Sequence, residues 1–151
     1  MEGRRMILVD IENVVGGGVV KTEDAAAAFA LIDPKIGSMD CDQFIVGASH
    51  VSAIASGCAR PSARLVVRSG KDGADIALLE VLKDEHVEER FDEVVLVSGD
   101  GIFADEVARL GSCGVKVTVV AADGKLSRRL RMAASEVFVW QTDEGKLGDA
   151  A

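Results

Sequence analysis

Three acidic segments in this chain each sit beside an apolar run. Met6-Ile7-Leu8-Val9 leads into Asp10-Ile11-Glu12-Asn13, and Val94-Val95-Leu96-Val97 leads into Ser98-Gly99-Asp100-Gly101. Between them, Lys71-Asp72-Gly73-Ala74-Asp75 opens a helix-spaced apolar stretch. Ligands of open parallel sheets collect outside the carboxyl ends of the strands. Asp10 and Asp100 are therefore expected on one edge, with Asp75 delivered there by a helix start. Crowded carboxylates repel and raise a pKa unless a cation intervenes. An all-oxygen cluster suits Mg²⁺ or Mn²⁺, which can activate water and stabilise a leaving oxygen in phosphodiester hydrolysis. Singly, each acid has a plainer use. Asp10 and Asp100 suit turns, Asp72 a helix cap, and Asp75 and Asp105 the first turn of a helix. Their convergence on one edge is what points to chemistry.

The elements that must position these acids follow from the apolar pattern. Strands are expected at 6–9, 43–47, 64–68, 94–98, 115–120 and 136–140. Helices are expected at 22–32, ended by Pro34, and at 50–57, with Gly57 past its end. Further helices are expected at 72–86, 103–110 and 126–134, with Gly16-Gly17-Gly18 a flexible turn. Alternating strand and helix imply an α/β fold, a three-layer α/β/α sandwich with a mostly parallel central sheet. Residues 1–142 read as a single domain and 143–151 as a flexible C-terminal tail.

Composition narrows the classes. At 151 residues one core suffices, and a 48% hydrophobic fraction with mean hydropathy +0.22 argues against disorder. No apolar stretch approaches the roughly 18 residues of a membrane span, so no membrane partner and a cytoplasmic location are expected. Cys41, Cys58 and Cys113 lack metal-ligand spacing, and two histidines make zinc a poor fit. A net charge of −8 disfavours passive binding along nucleic-acid backbones, yet a metal site adds acids of its own.

Val-Asp-Ile-Glu-Asn-Val, Lys-Asp-Gly-Ala-Asp-Ile and Val-Ser-Gly-Asp-Gly-Ile-Phe-Ala, in this order, resemble an NYN domain of the PIN-like nuclease superfamily. The resemblance runs over roughly residues 5–140. It implies a PIN-like, Rossmannoid α/β/α fold and a metal-dependent ribonuclease, with RNA as substrate. By that resemblance the acids are Asp10, Asp75 and Asp100, with Asn13 as the accompanying polar residue. The family often has a second acid two residues after the Ser-Gly-Asp acid; here Ile102 stands there. Asp105 is the expected optional fourth acid of the metal set. Asn13 and Ser98 are expected to orient a carboxylate or a phosphate.

Lys125, Arg128, Arg129 and Arg131 form a basic stretch in an acidic chain. All four are candidates for RNA phosphates beside the metal site, Arg128 and Arg129 foremost, with a solvated helix face as the plainer use; Lys71, beside Asp72, is another candidate. A homodimer joining such surfaces is compatible with the sequence. Two other functions fit less of it. One is a catalytically degenerate PIN-like module that binds RNA or protein, favoured by Ile102. The other is a haloacid-dehalogenase-like phosphatase, whose Asp-x-Asp motif Asp10-Ile11-Glu12 only imitates.

Overall fold

Long unbroken apolar runs, rather than alternating ones, mark strands buried on both faces. The computed structural model bears this out over the residues it describes, 3–16 and 20–141. The expected turn at Gly17-Gly18 and the tail at 143–151 lie outside the described residues. Six strands form one sheet: β1 (Arg5–Asp10), β2 (Gln43–Ser49), β3 (Arg64–Arg68), β4 (Glu93–Val97), β5 (Lys116–Ala122) and β6 (Glu136–Trp140). Every pairing is parallel, in the order β3-β2-β1-β4-β5-β6. The helices are α1 (Ile11–Val15), α2 (Thr22–Ile36), α3 (Ala53–Ala59), α4 (Gly73–Asp84), α5 (Val87–Arg90), α6 (Ala104–Ser112) and α7 (Arg128–Ala133).

The central strand β1 shows why the run must be continuous. Met6 and Leu8 pack into one core with Leu78 and Leu82 of α4, Leu110 of α6 and Leu130 of α7. Ile7 and Val9 point the other way, into a second core with Ala25, Phe29 and Ile32 of α2. Burying such side chains contributes about 1.5–3 kcal/mol each. Polar residues are therefore excluded from β1 between Arg5, at its entry, and Asp10, where the strand leaves the sandwich. The strand order reverses direction between β1 and β4, and the crevice at such a switch point is where this architecture binds ligands.

Two helix ends differ from expectation. Pro34 does not stop α2, which continues to Ile36 and ends at Gly37 with φ +61°. Ile32 and Ile36 are both buried. Their burial, at about 2 kcal/mol each, offsets the roughly 3 kcal/mol cost of an interior proline. Gly57 lies inside α3 rather than past its end. The helix runs on to Ala59 because Arg60 fixes the exit: it pairs with Asp33 at 2.9 Å and lies 3.8 Å from the Phe44 ring centroid. Two short helices, α1 and α5, lacked enough residues to show a period. Among the described residues no helix is long and apolar enough to cross a membrane.

Candidate functional site

Asp10 is the last residue of β1 and the cap of α1. Its Oδ1 accepts the Asn13 N–H at 3.3 Å, and its Oδ2 accepts the Ser98 hydroxyl at 3.1 Å. Ser98 follows β4, the neighbouring strand, and its Oγ also accepts the Asp100 N–H at 3.2 Å. Asn13 Oδ1 accepts the Gly99 N–H at 3.1 Å. The β1 and β4 exits are thus tied by side chains rather than by ladder bonds. Asp100 Oδ1 accepts the Ile102 N–H at 3.0 Å and starts a 3₁₀ turn over Gly101–Phe103.

Asp75 arrives from the first turn of α4. A Cβ on Gly73 would lie 2.0 Å from Arg68 O, so the absence of a side chain there lets α4 start directly against the end of β3. Asp72, expected to cap α4, makes no capping bond through its side chain and adopts a left-handed backbone with φ +65°. This turn swings the helix start over the sheet edge. Asp10 and Asp75 are 2% and 7% exposed, respectively.

The result is a cleft of about 310 Å³ lined by Asp10, Glu12, Asn13, Gly16, Asp72, Ala74, Asp75, Asp100 and Lys125. Burial raises the Asp75 carboxyl, and the neighbouring Asp10 and Asp100 carboxyls add to it, pushing it up to about 9. Burial also raises Asp10, against the hydrogen bonds from Asp75, the Asn13 N–H and Ser98 that favour its ionised form. Both carboxyls are thus held where burial and their neighbours disfavour ionisation, and the two titrate as a pair.

The structure brings Asp10, Asn13, Asp75 and Asp100 together, and it places the other expected residues elsewhere. Ser98 is 1% exposed and lies behind the cleft, with its hydroxyl committed to Asp10 and Asp100. Asp105 is outside the lining; its side chain is 91% exposed and pairs with Arg129 at 3.1 Å. It lies in the first turn of α6, beyond the 3₁₀ turn that follows Asp100, and faces solvent. Lys71, Arg128 and Arg129 are exposed and outside the lining as well. The basic stretch divides because Lys125 lies in the loop after β5, on the cleft's edge, whereas the arginines ride on α7. Glu12 was the other omission: its Oε1 accepts the Ser49 N–H at 2.9 Å at the end of β2. Its place in a helical turn leaving a strand end was the available signal.

A doubly wound parallel sheet with carboxylates crowded at its switch point is compatible with a nuclease-type α/β domain. Residues 40–141 match the NYN domain, and the chain belongs to the NYN family. The matched stretch contains Asp75 and Asp100, while Asp10 and Asn13 precede it. This membership sets aside the phosphatase alternative. A crystal structure of a protein of unknown function from Vibrio parahaemolyticus shares the fold. Its TM-score is 0.63 at 19% identity, over 93% of this chain and 94% of that one. No protein of curated function matches the chain.

Proposed function

We propose that this chain is a metal-dependent ribonuclease that hydrolyses RNA phosphodiester bonds at the cleft between β1 and β4. The observation that supports it is the convergence of Asp10, Asp75 and Asp100 on one cleft, where burial and the neighbouring acids raise the Asp75 carboxyl. Natural folding has no stability reason to gather like charges in this way, and oxygen donors of this kind fit a hard divalent cation. Among the described residues no three acidic, imidazole or thiol groups are already spaced as ligands of one ion.

Asp10, Asp75 and Asp100 would hold Mg²⁺ or Mn²⁺, with Asp75 surrendering its proton to solvent on loading. A bound divalent ion would supply Lewis acidity for the attacking water and the leaving oxygen. Ser98 keeps Asp10 oriented, and Asn13 holds the β1 and β4 exits together through Gly99. Water would add to phosphorus as the P–O bond to the ribose breaks, and the proton that water gives up to an ionised carboxylate would pass to the departing ribose oxygen. Membership of the NYN family favours RNA over DNA as the substrate.

The test is incubation of the purified chain with single-stranded and structured RNAs in Mn²⁺, Mg²⁺ or EDTA, beside Asp100→Asn. Cleavage that needs metal and disappears in the variant is expected. A second reading, a PIN-like binding module without turnover, is favoured by the 41% exposed Ile102 where the family often carries an acid. Tight RNA binding with no cleavage at high enzyme would select it.

A further inference from the structure

The cleft has an electrostatic problem that a metal alone does not solve. Five acids line it, Asp10, Glu12, Asp72, Asp75 and Asp100, and a phosphodiester must approach them. Among the described residues, the lining holds one basic side chain, Lys125. The arginines suspected from sequence do not share the task; Arg129 is turned to Asp105.

Lys125 is held in place by its backbone. The loop after β5 turns back with the Lys125 N–H on Ala122 O at 3.1 Å, and the Ser127 N–H donates to Gly99 O at 2.8 Å. This packs the loop onto the Ser98–Gly101 loop so closely that a Cβ on Gly99 would lie 2.1 Å from Lys125 O. The loops carrying Lys125 and Asp100 therefore form one rigid unit. The ammonium reaches across the cleft mouth to Asn13 O at 3.3 Å, near Gly16. That long bond uses one of three ammonium donors. The side chain is exposed and flexible beyond its anchored backbone.

We propose that Lys125 is the seat for one backbone phosphate of the bound RNA, placing that phosphate beside the Asp10–Asp75–Asp100 cluster. The proposal rests on the ribonuclease reading, and extends it by naming the anchoring cation. The bond to Asn13 O is the resting position, and a phosphate oxygen replaces that carbonyl when RNA binds. Lys125 touches substrate and takes no part in holding metal.

Binding of a fluorescein-labelled eight-nucleotide single-stranded RNA to the full chain tests this. Fluorescence anisotropy is followed against salt, with Ca²⁺ present so that cleavage does not consume the probe. Lys125→Gln keeps a donor for Asn13 O and removes only the charge. We expect it to weaken binding about tenfold and lower the slope of log affinity against log salt by about 0.7, the share of one single-strand phosphate. Lys125→Arg should retain most of the affinity. Mn²⁺ affinity and thermal stability should stay at wild-type levels in both. If wild type binds and Lys125→Gln has the same affinity and slope, Lys125 is only a clamp and the ribonuclease reading survives. If wild type binds no RNA, both the seat and the ribonuclease reading fall.

Discussion

The two ends of the sheet use the same residue types in opposite ways. At the amino end three acids are paired with bases. Arg5, at the start of β1, pairs with Asp42 at 2.5 Å; Arg64, at the start of β3, with Glu85 at 2.6 Å; and Lys116, at the start of β5, with Glu136 at 3.1 Å. Burial alone would raise the Asp42 carboxyl, but Arg5 and the Met39 N–H more than offset it and hold it below the usual range. Hydrogen bonding to Arg64 likewise lowers Glu85. At the carboxyl end, Asp10 and Asp75 are buried against other acids and both are raised. One end is electrostatically satisfied, and the other stores repulsion that a cation would relieve. Stability and function are thereby segregated to opposite edges of one sandwich.

The sharpest way to break this contrast is Asp75→Asn. Mn²⁺ affinity and RNA cleavage should fall roughly a hundredfold or more, on the scale by which losing even supporting groups weakens metal sites. The metal-free protein should meanwhile gain about 1 kcal/mol, because an amide replaces a carboxyl under repulsion. Calorimetric metal titration and urea unfolding in EDTA would show both, and a destabilised variant would contradict the picture. Asp42→Asn should do the reverse. It leaves Arg5 facing a neutral partner and costs about 2–3 kcal/mol by loss of charged hydrogen bonds, while Mn²⁺ affinity is unchanged.

The pH dependence sharpens the comparison. Asp75 stands at about 9 folded against 3.8 normally, so folding takes up a proton between these values. The stability it contributes to the metal-free protein is full below about pH 4, falls as pH rises towards 9, and is flat beyond. Asp42 acts in the opposite sense, its stabilisation present above the usual carboxylate range and lost as acid protonates it. Urea midpoints in EDTA between pH 5 and 9 should decline in wild type and flatten in Asp75→Asn. Mn²⁺ affinity should climb over the same window, as the ion displaces the proton. The smallest effect belongs to Glu136→Gln. Its pair with Lys116 is half exposed on both sides, so thermal unfolding should shift by about 0.5 kcal/mol or less.

These contrasts were partly legible in the sequence. The six strands fell where unbroken apolar runs placed them, because a parallel sheet buried on both faces leaves no other use for such runs. Asp10, Asp75 and Asp100 emerged from their positions at strand ends and at a helix start. What the sequence withheld was the company each charge keeps. Asp42 and Asp75 are the same residue, and only the approach of Arg5 or of Asp10 tells them apart. Asp105 looked equivalent to Asp100 until α6 carried it outward to Arg129. Lys125 looked like one of four basic neighbours until the loop-to-helix boundary separated it from the arginines. Pro34 and Gly57 misled because tertiary anchors, Ile36 and Arg60, outweighed local preference.

The spread of the cleft along the chain, from Asp10 through Asp75 and Asp100 to Lys125, has a consequence during synthesis. Asp10 leaves the ribosome early, on a strand whose partner β4 comes much later in the chain. Long-range parallel pairing of this kind is slow to form. The growing polypeptide therefore carries one edge of β1 unpaired until β4 emerges, a natural target for chaperones that hold apolar segments. It also carries no assembled acid cluster until Asp75 and the Ser98–Gly101 loop have followed Asp10 out of the ribosome.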